Sequence, residues 1–147
     1  MTEPPPPLPD GFTPSRRSSN LLDLLGPLFE RDTEGGYRIG LRVDARHSNA
    51  KGFCHGAVLA LLADVHLGRL CGRGMQPPRP LVTAGLTLAY LSPARLGDWL
   101  EAAGEVDRVG RTLAHANGLV LANGKPALRA VGTFQIVAGA VEVPTLL

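Results

Sequence analysis

The spacing of hydrophobic positions changes several times along this chain, and each spacing predicts a different element. Leu21, Leu22, Leu24 and Leu25 follow Ser18, Ser19 and Asn20, any of which can cap a helix, and Gly26-Pro27 stops it. This predicts a short amphipathic helix closing one side of the core. After a Gly35-Gly36 turn, Tyr37, Ile39, Leu41 and Val43 alternate with Arg38, Arg42 and Asp44, the pattern of a half-buried strand. The pattern then changes completely. Ala57, Val58, Leu59, Ala60, Leu61, Leu62, Ala63, Val65 and Leu67 are apolar nearly all round a helix, which predicts a buried one from about residue 54 to 71. GRGMQPPRP after it is a loop. Beyond it, Val82, Ala84, Leu86, Leu88 and Tyr90 alternate strictly over 81–92, and further strand-like segments cover 99–109, 111–122 and 125–137. Ser92-Pro93, Gly97-Asp98, Gly110 and Asn123-Gly124 separate them, the last being a strong hairpin signal.

The order is therefore helix, strand, long helix, and four strands joined by short turns. Short turns make antiparallel neighbours, so the fold class is α+β, with a long antiparallel sheet around one apolar helix. Gly85, Gly104, Gly118 and Gly132 sit inside the strands, where glycines mark bends or close backbone approach. Residues 1–15 hold most of the prolines and are expected to form a flexible tail. Residues 16–140 are expected to form one domain, and 141–147 a second tail.

Composition narrows the function classes. At 147 residues the chain can bury one substantial core. A net charge of +2, with no dense Lys/Arg stripe, argues against nucleic acid as a partner. The longest apolar run is far short of the roughly 20 residues that span a bilayer, so no membrane partner is expected. The N-terminus lacks the apolar core of a signal peptide. Cys54 and Cys71, at opposite ends of the helix, would lie roughly 25 Å apart and cannot pair within the chain. The expected compartment is the cytoplasm.

The candidate chemistry lies on the apolar helix. Its run carries a single carboxylate, Asp64, which in a buried setting must be paired, protonated or used. Burial favours the neutral form of a carboxyl group and moves it toward the range of a general base. The competing reading is an aspartate bonded to the backbone or hydroxyls of a neighbouring strand. The helix entrance reads His47, Ser48, Asn49, Gly52, His55, Gly56. Unpaired N–H groups and the positive end of the helix dipole can polarise a carbonyl there, and a glycine leaves the amide accessible. A glycine-rich helix start that merely caps itself is the alternative. Asp64 lies eight residues beyond Gly56, about 12 Å along the axis, so one small reacting group cannot touch both within a single helix. If both serve one site, a second, antiparallel copy of the helix completes it across a two-fold axis.

Other constellations are absent. Cys54, His55, Asp64, His66 and Cys71 show no metal-ligand spacing, and His55 and His66 would stand about 16 Å apart. No GxSxG marks a nucleophilic serine. Gly72-x-Gly74 is only a turn. His115 and Asn117 read as surface or interface polar groups, and the arginines at 69, 73, 79, 95, 108 and 111 mostly as a solvated face, a subset of which could hold phosphates.

HSNAKGFCHGAVLALLADVHLG resembles the helix motif of hotdog-fold acyl-CoA thioesterases of the phenylacetic-acid-pathway and mammalian thioesterase-superfamily type. Their pattern is H-x-N-x-x-G-x-x-H-G-G, then a small and apolar run with Asp eight residues after the first Gly of the pair. The similarity continues through V-(S/T) at Val82-Thr83, Y-x-x-P-A-(R/K)-x-G-D from Tyr90 to Asp98, and G-R-(S/T) at Gly110 to Thr112. It covers about residues 35–137.

The resemblance implies a sheet wrapped round one helix, subunits paired into homodimers with shared sites and usually into homotetramers, and hydrolysis of an acyl-CoA thioester without a metal or redox cofactor. Position by position, the Gly56 amide would polarise the thioester carbonyl. Asp64 of the opposing subunit would activate water, Asn49 would hydrogen-bond near the carbonyl or water, His55 would support that entrance, and Thr83 would orient the water. Ala57 departs from the family by replacing the second glycine, which narrows the adjoining channel at most. His66 is outside the pattern and has no expected role. Two alternatives share the fold: a non-catalytic acyl-CoA-binding protein, which would lack the carboxylate, and an enoyl-CoA hydratase, which would pair an Asp and a His about five residues apart.

Overall fold

In the computed structural model, which describes residues 3–34 and 36–138, the apolar run organises everything else. Gly56–Arg73 forms a helix, α2. It buries Val58, Leu59, Leu62, Ala63, His66, Leu67, Leu70 and Cys71. The four-residue recurrence of these positions marks one face against the sheet. The helix begins two residues later than its composition suggests, because the preceding backbone is used elsewhere. Cys54 N–H donates to Ala94 O (2.8 Å) and His55 N–H to His47 O (2.8 Å).

α2 is not buried all round by its own chain. Ala57 is exposed, and Ala60, Leu61, Asp64 and Gly68 are half-buried. These five positions recur at helical spacing, so they form a second, largely apolar face that the sheet does not cover. The expectation of a fully buried Asp64 is corrected accordingly. An apolar sequence pattern cannot tell burial by the same chain from burial by another.

Before α2 come a short strand β1 (Thr13–Pro14), helix α1 (Asn20–Leu25), strands β2 (Phe29–Thr33) and β3 (Gly36–Arg42), and a 3-10 turn (Ala45–His47). After it come β4 (Leu81–Tyr90), β5 (Trp99–Val109), β6 (Leu113–Ala122) and β7 (Lys125–Ile136). They form one seven-stranded antiparallel sheet in the order β1-β2-β3-β5-β6-β7-β4, so β4 is an edge strand. This is the α+β arrangement expected of a hotdog. The inner face of the sheet supplies Ile39, Leu41, Leu100, Ala102, Ala114, Ala116, Val120, Leu128, Ala130 and Phe134 to the core beneath α2. Gly104 pairs with Gly118 where the sheet curves under the helix. A Cβ at Gly104 would lie 2.5 Å from Asn117 O and 3.0 Å from Leu67 Cδ2, so the two strands and α2 meet closely there only because side chains are missing.

Two expectations near the N-terminus change. Residues 1–15 are not flexible to their end: Phe12 is buried with its ring edge-on to Trp99 (centroids 5.0 Å apart), and Thr13 pairs with Glu30. β2 then pairs with β3, with Phe29 opposite Gly40. α1 starts where expected, with Ser19 accepting from Leu22 N–H. It does not close the core, since Leu21 and Leu24 are 53% and 69% exposed and Leu22 alone packs against it. The tail expected over 141–147 lies outside the described residues. Among those residues, no helix is long and apolar enough to cross a membrane.

Candidate active site

The segment leading into α2 is held by its own polar groups and by bonds to the backbone of Leu25, Gly26 and Ala94. Asp44 caps the 3-10 turn through Arg46 N–H (2.9 Å), and its own N–H donates to His47 Nδ1 (2.9 Å). His47 is fully buried, and its Nε2–H is left to donate to the Leu25 carbonyl. Asn49 Oδ1 accepts from the N–H groups of Lys51 (2.9 Å) and Phe53 (3.2 Å), folding the loop around Gly52 at positive φ. One side of the Asn49 amide is thereby spent on the loop, and its Nδ2 stays available.

His55 occupies the cap position of α2, but its side chain makes no capping bond and is exposed. Among the described residues, nothing accepts a hydrogen bond from Gly56 N–H. The helix therefore begins with a free donor at the positive end of its dipole. Gly56 is a glycine for a reason absent from the sequence reading: a Cβ there would lie 3.0–3.1 Å from the ring and hydroxyl of Tyr90. Tyr90 Oη donates to Gly56 O at 2.7 Å. Its strict alternation with Leu88 reads as a core position, yet Tyr90 is 54% exposed and braces the helix entrance from the end of β4. No local signal marks this role.

Asp64 and Thr83 come together from elements 19 residues apart, with Thr83 Oγ1 donating to Asp64 Oδ1 at 2.7 Å. Thr83 sits beside a register shift between Thr83 and Gly85 on the edge strand. Both residues open onto a cavity of about 400 Å³ walled by Val65, Gly68, Leu81 and Phe134. Gly56, Asn49 and His55 stand at the other end of the same stretch of helix, about 12 Å away along the axis. Within one chain, Asp64 with Thr83 and Gly56 with its entrance are thus two separate groups.

His66, without an expected role, has a structural one. It is buried on the sheet side of α2, with Nε2–H donating to Tyr37 O at 2.8 Å. Burial lowers its pKa from the usual 6.5; the Tyr37 bond opposes that shift, while the Arg38 and Arg69 charges add to it. It points away from Asp64, so the two do not form an acid–base pair. The Cys54 thiol is pushed up to about 11 by burial and by the charge of Asp98, which keeps it protonated at neutral pH. His115 bonds Thr133 and Asn117 bonds Asp107, both as surface polar groups of the sheet. Among the described residues, no three His, Cys, Asp or Glu side chains are grouped to hold a metal ion.

Known proteins share both the sequence and the shape. The family model of the thioesterase superfamily matches residues 51–124, from the helix entrance to the last hairpin. A Pseudomonas aeruginosa protein named as a candidate esterase is 42% identical over 130 residues, covering 88% of this chain and 97% of that protein. Human acyl-coenzyme A thioesterase 13 is 29% identical over 93 residues, 58% of this chain and 66% of that protein. The crystal structure of the BH2602 protein from Bacillus halodurans, determined with CoA, superposes with a TM-score of 0.75 at 22% identity, covering 86% of this chain and 83% of that one. The sheet wrapped round α2 is the hotdog fold, and the chain belongs to the thioesterase superfamily.

Proposed function

We propose that this thioester hydrolase cleaves an acyl- or aroyl-CoA to the free acid and CoA in sites shared between two copies of the chain. The observation that carries the reading is the Asp64–Thr83 pair, a carboxylate with a fixed hydroxyl partner on an apolar helix face that the protomer leaves uncovered. A second copy laid antiparallel on that face would bring Gly56 of the partner subunit to Asp64, removing the 12 Å separation (about eight residues of helix rise). The open edge of β4 supports the same assembly, because the side of this ten-residue strand turned away from β7, with Val82, Tyr90 and Leu91 exposed, invites a matching strand. Leu113 and Val131, exposed on the outer face of the sheet, would serve a further pairing of dimers into a tetramer.

In this reading Asp64 takes a proton from a water held beside Thr83, and the water oxygen adds to the thioester carbonyl carbon. Negative charge develops on the carbonyl oxygen, where the free Gly56 N–H and the helix dipole stabilise it. Asn49 Nδ2 and His55 line the same entrance. Collapse of the tetrahedral species breaks the C–S bond, and the proton on Asp64 passes to the departing thiolate. The balance closes with water, acid and thiol, so no metal or redox cofactor is required. The CoA in the Bacillus halodurans structure, which shares the fold, supports acyl-CoA as the substrate class.

The test is release of free thiol from purified protein given short, medium, long and aromatic acyl-CoAs. Turnover of at least one is expected. Binding without release would mark a non-catalytic acyl-CoA binder, and hydration of enoyl-CoA without release would mark a hydratase.

A further inference from the structure

Beyond Asp64, the exposed stripe of α2 loses its side chains. Gly68 and Gly72 follow at four-residue intervals and so continue the face on which Asp64 stands. Phe134 packs over Gly68, where a Cβ would come within 3.2 Å of the ring; at Gly72 the nearest atom would be Leu81 Cδ1, at 3.9 Å. The missing side chains leave room for the 400 Å³ cavity along the helix, and its lining is mixed. Val65, Leu81 and Phe134 are apolar, whereas Arg17, Arg69 and Arg79 add three basic side chains.

Four arginines among the described residues are held in ion pairs. Arg31 and Arg38 pair with Glu101, Arg46 with Asp44, and Arg73 with Asp32. Among the described residues, none of Arg17, Arg69 and Arg79 has a carboxylate within ion-pair distance. Arg69 is also held in place: its Nη1 donates to Ser15 Oγ (3.1 Å) and its Nη2 to Arg17 O (3.0 Å). A positioned guanidinium with remaining donors is suited to a planar carboxylate. A purely hydrocarbon acyl group filling this cavity would end against three charges that it cannot satisfy.

We propose that the acyl group ends in a carboxylate, so that the preferred substrate class is a dicarboxylic acid joined to CoA at one end. The inference rests on the reading of Asp64 as the group that activates water. Arg69 receives the distal carboxylate, with Arg17 and Arg79 beside it. Asp64 and Arg69 are five residues apart, about 7.5 Å along the axis and about 140° around it, so an acyl chain of several carbons would run between them through the cavity. The apolar wall between them packs the methylenes.

Adipoyl-CoA and hexanoyl-CoA have the same chain length and differ in the terminal group, so their kcat/KM ratio reads the proposal directly. At least a tenfold preference for adipoyl-CoA is expected, and Arg69→Met should reduce that ratio at least tenfold. Arg79→Met, at an exposed position, should reduce it at least threefold and serves if the Arg69 variant does not fold. A wild-type ratio near one overturns the inference while leaving thioester hydrolysis intact. Equal losses on both substrates in the variants also overturn it, because the arginines would then hold the phosphates common to both. Release from neither of these two thioesters overturns the inference, whereas release from none of the short, medium, long and aromatic acyl-CoAs overturns the reading on which it rests.

Discussion

Thr83 Oγ1 donates a 2.7 Å hydrogen bond to Asp64 Oδ1, tying the edge strand β4 to the middle of α2. The bond orients the carboxylate and leaves Oδ2 free to accept from a water. Positioned acid–base groups contribute about 10²- to 10⁴-fold to rate. Asp64→Asn should therefore lower kcat at least a hundredfold while the circular dichroism spectrum stays unchanged. Thr83→Val should lower kcat about tenfold or more, and Thr83→Ser, which keeps the hydroxyl, should stay within about threefold of the wild type. Thiol release by the Asp64 variant at the wild-type rate would remove that carboxylate from the mechanism.

The contact between Gly56 and Tyr90 predicts a rescue. A methyl group at residue 56 would press on the Tyr90 ring and displace the hydroxyl from Gly56 O. Gly56→Ala should cut kcat about tenfold or more, the scale of losses seen when an oxyanion donor is misplaced. Adding Tyr90→Ala makes room for the methyl group and should restore a large part of that loss. If the double variant is as slow as Gly56→Ala alone, the space at residue 56 belongs to the substrate carbonyl rather than to Tyr90.

The proposed sharing of sites between two copies makes a stoichiometric prediction. Asp64→Asn and Gly56→Val protomers are each expected to be inactive as homodimers, for opposite halves of the site. In an equal mixture exchanged through mild denaturant, about half the dimers are mixed, and each mixed dimer has one intact site. Thiol release should recover to about a quarter of the wild-type rate. A mixture no more active than its components would place both residues in one protomer's site and break the antiparallel arrangement.

The elements best read from the sequence were those whose pattern and burial have one cause. Alternation over residues 37–43 and the Asn123-Gly124 turn predicted strands that exist because each buries one face on α2. β2 escaped because FERDT has no repeating apolar face; it is a strand because β3 offers it a partner. The leucines of α1 suggested a core contact but are mostly exposed in the protomer, and the apolar circumference of α2 concealed the fact that only one side meets the sheet. Within the site, Asp64 and Gly56 stood out by being unusual in their surroundings. The competing reading of Asp64 expected a hydroxyl or backbone group of a neighbouring strand, and the observed bond to Thr83 matches it; the family resemblance alone singled out Thr83, since nothing local links residues 64 and 83. Tyr90 and the cluster of Arg17, Arg69 and Arg79 were out of reach, because each depends on backbone segments far apart in sequence meeting at one end of α2.

His66 makes stability depend on pH in a way that separates it from the site. Its Nε2–H bond to the Tyr37 carbonyl links α2 to β3 through a neutral ring, and its pKa is depressed below 6.5 by burial. Above pH 6.5 the ring is neutral in both folded and unfolded chains and contributes no pH dependence. As pH falls below 6.5 the unfolded chain takes up the proton and the folded protein does not, so stability is lost until the folded pKa is reached, with a limiting slope of about 1.4 kcal/mol per pH unit. The Tm should therefore fall between pH 7 and pH 5, a range lying above most carboxylate titrations. His66→Gln can still donate to the Tyr37 carbonyl but cannot titrate, and it should flatten that part of the curve even if it lowers Tm throughout. Parallel Tm curves for wild type and His66→Gln over this range would show that the pH dependence belongs to another group.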